Sequence, residues 1–203
     1  MKYLKEFLSS IFAGFSISLG CMIYLILENK TVGAVFFTLG LFLVLTRKYH
    51  LFTGKVANLI EEGPKYSLDL LIIWLGNFVG ALIMMLFTKY SKLGYLIDAA
   101  KTVSTNKLSQ DYLSAFLLAI LCGIIIYLAV DNFNKNEHHV GKYVGLFVLI
   151  PTFIICGFEH CVANMYYLLL AGEINVESMM FLIVVSIGNT IGSVIYKYFE
   201  LRK

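Results

Sequence analysis

The sequence predicts an all-α membrane protein of six transmembrane helices, arranged as two inverted repeats of three helices, with the second and fifth helices broken. Three observations support this fold class: the composition, the lengths of the apolar runs, and two short motifs that each occur twice. Hydrophobic residues make up 59% of the 203 residues and charged residues 14%, whereas a soluble domain is about 45–50% apolar and about 25% charged. The mean hydropathy of +0.80 agrees. We therefore expect one transmembrane domain over residues 1–203.

Four apolar runs are long enough to form continuous spanning helices. They cover approximately residues 7–27, 68–88, 112–130 and 179–196. A helix needs roughly 20 apolar residues to cross the hydrocarbon core of a bilayer. These runs are predicted to be spans one, three, four and six.

Two further apolar segments are interrupted by polar residues. The first runs from Val32 to Thr46 and is followed by Arg47-Lys48-Tyr49-His50. The second runs from Val144 to Cys156, is followed by Gly157-Phe158-Glu159-His160, and resumes over Cys161–Leu170. Irregular backbone at membrane depth is tolerated only where protein buries it or water lines it. Both breaks are therefore predicted to face a pore or a site, not lipid.

Two motifs indicate an internal repeat. Phe-x-x-x-Val-Ala-Asn and Gly-Asn-x-x-Gly each occur once in each half, in the same order; the first is at 52–58 and 158–164, and the second is at 76–80 and 188–192. We expect repeat one to cover about 1–90 and repeat two about 111–203. Three spans per repeat place the halves in opposite orientations. Inverted repeats with one interrupted helix each indicate a substrate path at the midplane of the membrane.

The distribution of basic residues predicts the orientation. With both termini inside, the inner segments hold Lys2, Lys5, Lys65, Lys135, Lys142, Lys197, Arg202 and Lys203, and the outer segments hold Lys30, Lys89, Lys92, Lys101 and Lys107. Cytoplasmic loops carry the excess of Lys and Arg. We therefore expect a multi-pass protein of the inner (plasma) membrane with both termini cytoplasmic.

The second break contains the main candidate site. Glu159 and His160 are adjacent inside a span, and an ionisable residue there is costly to bury and functional by default. Histidine has an unperturbed pKa near 6.5, so it can change charge at physiological pH. Thr53 of the first break is its expected partner, through a hydroxyl bonded to one ring nitrogen. Glu159 is expected to be a lone carboxylate held by backbone donors, with either a structural or a transport role.

Two asparagines, Asn58 and Asn164, are predicted to begin the second half-helices after the breaks, because Asn bonds local backbone groups at helix starts. Helix N-termini carry unpaired N–H groups and the positive end of the helix dipole. Two such ends at the midplane favour an anion there. The expected substrate is therefore a small anion.

Metal, cofactor, nucleic-acid and enzyme chemistry have little support in the sequence. The cysteines all lie in apolar stretches, lack Cys-x-x-Cys spacing and are expected to be packing residues; they are Cys21, Cys122, Cys156 and Cys161. Glu137-His138-His139 lies in a polar loop and is interpreted as solvated. The net charge of +3 is small and scattered, which does not indicate nucleic-acid binding. Neither a Gly-rich phosphate loop nor a nucleophile triad is found, so we do not expect an enzyme.

The motif residues resemble those of the formate/nitrite transporter family. The resemblance rests on Leu51-Phe52-Thr53-Gly54, on Gly157-Phe158-Glu159-His160 with Ala163-Asn164-Met165, and on both Gly-Asn-x-x-Gly segments. It implies an aquaporin-like six-helix protomer, a homopentamer with one pore per protomer, and passage of formate, nitrite or hydrosulfide. Small residues such as Gly14, Gly20, Gly76 and Gly80 let helices approach closely and agree with assembly in lipid.

The resemblance also implies roles for individual residues. His160 would be the central pore histidine, exchanging a proton with the anion, and Thr53 the threonine of the first loop. Two apolar constrictions would flank them, one with Phe37 and Phe153, the other with Leu51 and either Leu41 or Phe52. Lys107 would be an exposed vestibule lysine in the basic outer loop, attracting anions. Arg47-Lys48-Tyr49-His50 departs from the family, which often has small or acidic residues there.

Three alternatives remain open at this stage. A hydrosulfide-selective channel would share the fold. A neutral-solute pore of the aquaporin kind is a different class, but a buried Glu-His pair has no evident use in water conduction. A membrane enzyme ranks last, because no catalytic cluster accompanies the histidine.

Overall fold

The computed structural model describes residues 2–203, and this part of the chain is built from helices and connecting turns. The α-helices in chain order are α1 (Lys2–Ile26), α2 (Lys30–Thr46), α3 (Phe52–Lys55), α4 (Leu59–Glu62), α5 (Ser67–Lys89), α6 (Leu96–Leu108), α7 (Tyr112–Lys135), α8 (His139–Ile155), α9 (Cys161–Ala171) and α10 (Val176–Glu200). Short 3₁₀ helices cover Val56–Asn58, Pro64–Tyr66 and Lys92–Tyr95.

Four of these helices are long and apolar enough to cross a membrane. They are α1, α5 with the turn before it, α7 and α10, with 24 to 26 residues each. At 1.5 Å per residue such helices are about 36–39 Å long, against about 30 Å of hydrocarbon. They cover the four predicted runs, except that α1 ends at Ile26, one residue early, so these predictions are confirmed.

The interrupted segments form shorter helices. Helices α2 and α8 have 17 residues each and end at Thr46 and Ile155. After each of these ends the chain turns and continues as a second helix, α3 after α2 and α9 after α8. The two resumptions differ, because α3 is a single turn of four residues whereas α9 has 11, and all residues of α9 are buried. Helix α9 is therefore at the centre of the fold.

Glycines bring α1 against α5 and α7 against α10. A Cβ atom at Gly14 would overlap the backbone of Asn77, and one at Gly123 would overlap the backbone of Asn189. The same is true of Gly80 against Ile11, of Gly76 against α1 and of Gly20 against α2. These glycines serve contacts within the chain, so using them as support for subunit assembly is wrong. Helices must approach this closely for the two asparagines to reach the interruptions.

The outer surface of the long helices is apolar. Leucines at helical spacing are exposed on α5 and on α7, namely Leu68, Leu71, Leu75, Leu113, Leu117 and Leu121. Large exposed apolar faces mark contact with lipid or with another protein. This surface agrees with a multi-pass membrane protein.

The segment between α5 and α7 is not the open basic loop that the sequence predicts. It contains α6, which packs against α9. Leu96, Ala100 and Ser104 are buried, one helical turn apart. This face of small and apolar residues holds α6 on the core and brings Lys107, near its end, to the second interruption.

Candidate functional site

Both interruptions begin with the same backbone turn. Lys48 has a φ of 57° and Gly157 a φ of 69°, so the second residue after each helix has a left-handed backbone conformation. The backbone N–H groups then bond back to the helix as in a Schellman motif: Lys48 to Leu45, Tyr49 to Val44, Gly157 to Ile154 and Phe158 to Phe153. Each turn ends its helix and redirects the chain into the protein.

Two buried asparagines hold the points where the chain resumes. Asn77 Oδ1 accepts from the Phe52 N–H at 2.8 Å, and its Nδ2 donates to the His50 carbonyl at 3.0 Å. Asn189 Oδ1 accepts from the Cys161 N–H at 3.0 Å, and its Nδ2 donates to the Glu159 carbonyl at 2.8 Å. Each amide also donates to the facing long helix, at the carbonyls of Ser10 and Ala119. Sequence reasoning found the Gly-Asn-x-x-Gly motif but missed this role of its asparagines.

These matched bonds correct the register of the repeat. They pair Phe52 with Cys161, and therefore Leu51 with His160. Pairing Phe52 with Phe158 through the Phe-x-x-x-Val-Ala-Asn pattern is wrong by three residues. The physical reason is that backbone hydrogen bonds set the register, whereas the pattern compares only side-chain identities.

Removing either asparagine is expected to destabilise the protein. Asn77→Ala or Asn189→Ala leaves three buried backbone groups without their side-chain partner, and each such loss costs about 1–3 kcal/mol. We expect thermal unfolding in detergent at a clearly lower temperature for both variants. Asn106→Ala, at an exposed position on α6, is the control. Unchanged unfolding temperatures for both core variants would contradict the assigned role.

His160 and Thr53 form a direct contact between the interruptions. Thr53 Oγ1 lies 2.9 Å from His160 Nε2, and the side chains are buried, with 1% and 3% exposure. The other ring nitrogen, Nδ1, accepts from the Ala163 N–H at 3.1 Å. A neutral imidazole has one donor and one acceptor. Because Nδ1 accepts, the proton of the neutral ring is on Nε2 and is donated to Thr53.

Glu159 has three side-chain donors. Its Oε2 accepts from Lys107 Nζ at 2.6 Å and from Asn164 Nδ2 at 2.8 Å, and its Oε1 accepts from Gln110 Nε2 at 2.8 Å. The expectation of a lone carboxylate held by backbone donors is wrong. So is the expectation of an exposed Lys107 in an open loop, because its side chain is only 18% exposed and paired with Glu159. Both errors have one cause: α6 folds back onto α9.

The expectation that two other asparagines begin half-helices is wrong for Asn164, which lies inside α9. Asn58 ends a 3₁₀ turn and directly precedes the four-residue α4, but its side chain makes no capping hydrogen bond there. The chain resumes after Leu51 and His160, where the first N–H groups already have partners in Asn77 and Asn189. The anion-favouring helix ends expected from the sequence are therefore largely occupied.

Two cavities are lined by residues of the interruptions, one by His160 and the other by Gly54, the residue after Thr53. The smaller, of about 140 Å³, is lined by Phe37, Phe153 and His160 among others. The rings of Phe37 and Phe153 meet edge to face at 5.7 Å, and Phe153 lies 5.9 Å from the His160 ring. The larger cavity, of about 670 Å³, is lined by Leu41 and Leu51. The two sets of lining residues do not overlap.

The remaining predicted site residues are distributed between the two cavities and the core. Lys107 and Asn164 border the smaller cavity, and Asn58 borders the larger one. Phe52 is buried but lines neither cavity. Of the cysteines, Cys156 is exposed and the others are buried, so the packing interpretation is wrong for Cys156. Among residues 2–203, His, Cys, Asp and Glu form no group able to hold a metal ion.

Long apolar helices with a buried histidine and a buried threonine at the interruptions are typical of a multi-pass membrane transport protein. The chain belongs to the formate/nitrite transporter family, whose family model matches residues 1–199. This confirms the family resemblance. The family and its structural neighbours are channels and transporters, not enzymes.

Individual relatives are similar at moderate identity. The formate channel FocA of Haemophilus influenzae is 29% identical over 185 residues, covering 79% of this chain and 64% of that protein. The formate channel BtFdhC of Bacillus thuringiensis is 29% identical, covering 82% of this chain and 69% of that protein. The chain thus spans about two thirds of these relatives and only 34% of formate-nitrite transporter 3 of Toxoplasma gondii, at 28% identity.

Solved structures show the same fold. A pentameric formate channel with formate bound superposes with a TM-score of 0.84 at 24% identity, over 98% of this chain and 96% of that one. An ion channel of the same family superposes with a TM-score of 0.88 at 23% identity, over 98% of this chain and 90% of that one. The all-helical fold predicted from the sequence is therefore confirmed.

Proposed function

We propose that this chain forms a membrane channel or proton-coupled transporter for small monovalent anions, namely formate, nitrite or hydrosulfide. The observation that carries the proposal is the buried His160–Thr53 contact at 2.9 Å. One cavity is lined by His160 with apolar side chains, and a second is lined by Leu51 and Gly54, near Thr53 in the sequence. The relatives named above as formate channels support formate as the first substrate to test.

The proposal includes the arrangement in the membrane. Helix α2 with α3 and α4 would form the second span, and α8 with α9 the fifth. The four long helices complete six spans in two inverted repeats, about 1–90 and 111–203. The matched hydrogen bonds of Asn77 and Asn189 support this symmetry. The distribution of Lys and Arg favours cytoplasmic termini in the inner membrane.

The aromatic side chains create an energy barrier to a charged solute, and we propose that the histidine lowers it. Moving a small anion past Phe37 and Phe153 strips its water, and burying an unpaired charge costs many kcal/mol. A weak acid that takes up a proton crosses as a neutral molecule. Histidine is suited to exchange that proton near neutrality. We place the exchange at His160, with Thr53 orienting the ring.

The hydrogen bonds of the ring restrict how exchange occurs. Protonation of His160 at Nδ1 requires that the bond from the Ala163 N–H be given up. Because this bond caps the start of α9, proton uptake by the ring removes that cap and leaves the buried Ala163 N–H without its partner. The neutral ring is therefore the resting form, and exchange accompanies passage of an anion.

Flux through proteoliposomes tests the function. Formate, nitrite, hydrosulfide and neutral glycerol are compared, with and without a pH gradient, against protein-free vesicles. We expect anion flux that rises when the acidic side supplies protons, and little glycerol flux. Glycerol flux without anion flux would instead support the neutral-solute pore. Hydrosulfide flux alone would support the hydrosulfide-selective channel.

The aromatic constriction is tested with a neighbouring pair of phenylalanines on α2. Phe37 is 3% exposed and faces Phe153, whereas Phe36 is 55% exposed. Phe37→Ala should widen the path and reduce discrimination between formate and larger carboxylates such as acetate by about tenfold or more, because the apolar seal is lost. Phe36→Ala should leave the discrimination unchanged. Equal behaviour of the two variants in the flux assay would mean that Phe37 only packs.

We also propose that the chain assembles as a homopentamer. The support is the likeness to a pentameric formate channel and the exposed leucines of α5 and α7. Native mass spectrometry in mild detergent should show a complex of five chains. Monomers alone across several detergents, with anion flux retained, would contradict it.

A further inference from the structure

We propose that the larger cavity is a binding site for a multiply charged, phosphate-bearing anion, which closes the anion path when bound. Binding at this site is independent of the proposed transport function, and the closing effect rests on it. The argument combines the charges around the cavity, the backbone at Lys48, and the position and size of the cavity.

Four lysines line this cavity, and the only acidic residue among its lining is Asp131; the lysines are Lys48, Lys55, Lys142 and Lys197. Lys197 is paired with Glu61 at 2.9 Å, and Asp131 is paired with a lysine outside the lining. Within residues 2–203, the other three ammonium groups have no carboxylate within 4 Å. The cavity therefore has a strong excess of uncompensated positive charge.

Lys48 holds its position at a conformational cost. Its φ of 57° is the only positive φ of a non-glycine residue in the described part of the chain. The matching position in the other interruption is Gly157, with a φ of 69°, and glycine adopts this conformation without strain. A long side chain at a strained position points to a function there. The function we assign is to place a positive charge at the cavity.

The cavity has the size of a site for an organic or oligomeric anion. Its volume is about 670 Å³, against about 140 Å³ for the cavity beside His160, and ligand pockets usually measure about 300–1,000 Å³. Lysine ammonium groups are point charges that bind phosphate oxygens well. Asn58, Asn134 and Tyr49 add polar groups. Several separated cations favour a ligand with several negative charges over a single monovalent anion.

The same cavity lies on the proposed path. Leu41 and Leu51 line it, and Leu51 is two residues before Thr53. A ligand held by Lys48, Lys55 and Lys142 therefore covers the apolar constriction on this side of His160. Its bound charge also repels a second anion.

Pyrophosphate binding to the purified protein tests the site. We expect isothermal titration in neutral detergent to show pyrophosphate binding far more tightly than formate or chloride. Lys55→Gln and Lys142→Gln should each weaken binding by about fivefold, and the double variant by more. Lys48→Gly should weaken it similarly without harming the fold, because glycine suits the local φ, and Lys48→Arg should restore it. Lys65→Gln, an exposed lysine outside the cavity, is the control.

The outcomes separate binding, closure and transport. Absence of pyrophosphate binding, or equal affinity in the wild type and the double variant, overturns the site. Formate flux with pyrophosphate on both sides should fall in the wild type and persist in the double variant; unchanged wild-type flux despite binding overturns closure. If the wild type carries no anion at all, the proposed function fails and the binding result still decides the site.

The phosphate group has two sources, a soluble compound or a lipid headgroup. Titrations in phosphatidylcholine vesicles, with and without cardiolipin, a lipid with two phosphates in its headgroup, distinguish them. If the anionic lipid weakens pyrophosphate binding, a headgroup occupies the same lysines. If it leaves the affinity unchanged, a soluble phosphate compound is the ligand.

Discussion

The variant His160→Asn is expected to lose proton-coupled anion uptake while it keeps the fold. Positioned acid–base groups contribute typically 10²–10⁴-fold to proton transfer, so we expect acidification of the vesicle lumen during formate uptake to slow by about 100-fold. Asparagine preserves the start of α9, because its side-chain oxygen can accept from the Ala163 N–H as a good N-cap.

The measurement is internal pH together with formate uptake in the same liposomes. His139→Asn, an exposed histidine at the start of α8, is the matched control and should behave like the wild type. If the His160→Asn protein acidifies the lumen with the wild-type stoichiometry, His160 is structural and the proton exchange is wrong.

The variant Lys107→Met is expected to lower stability strongly, by about 3–5 kcal/mol, because it leaves the 3%-exposed side chain of Glu159 without its cation. Adding Glu159→Gln should recover much of the loss, since it removes the buried charge and its amide oxygen still accepts from Gln110 or from Asn164. Thermal unfolding of the two single variants and the double variant in detergent measures this coupling. Additive effects would contradict a direct pair.

Ionic strength distinguishes this role from attraction of anions at an exposed vestibule. Exposed charges are screened over about 8 Å at physiological salt, whereas a buried pair is screened much less. The effect of Lys107→Met on formate flux should therefore be nearly the same at low and high salt. Lys101→Met on the same helix, where the lysine faces solvent and an exposed aspartate, is the control. A Lys107 effect that disappears at high salt would restore the steering role.

Features with a local cause could be predicted from the sequence. A run of about 20 apolar residues forms a spanning helix wherever it occurs, because the bilayer requires every backbone group to be satisfied within the segment. The breaks after Thr46 and Ile155 were also predictable, since polar residues and Gly157 cannot continue an apolar helix. The contact between Thr53 and His160 was the one long-range pair that the motifs suggested.

Features that depend on residues far apart in the sequence could not be predicted from it. Two of the three donors of Glu159, Lys107 and Gln110, are about 50 residues away. They lie near the end of α6 and just after it, in a segment that the charge pattern made look like an open loop. The register between the two interruptions follows the hydrogen bonds of Asn77 and Asn189, which a comparison of residue identities does not detect.

The sequence by itself therefore determined the membrane class, the positions of the four long helices and of the two interruptions, and the histidine at the second interruption. The tertiary structure alone decided which groups face that histidine, which charges are paired, and that Lys48 and Lys55 share one cavity with Lys142. The physical reason is the distance along the chain over which each effect acts. Apolar length and backbone breaks act within one segment, whereas the pairing of a buried charge depends on which helices meet, and that is settled only when the whole chain packs.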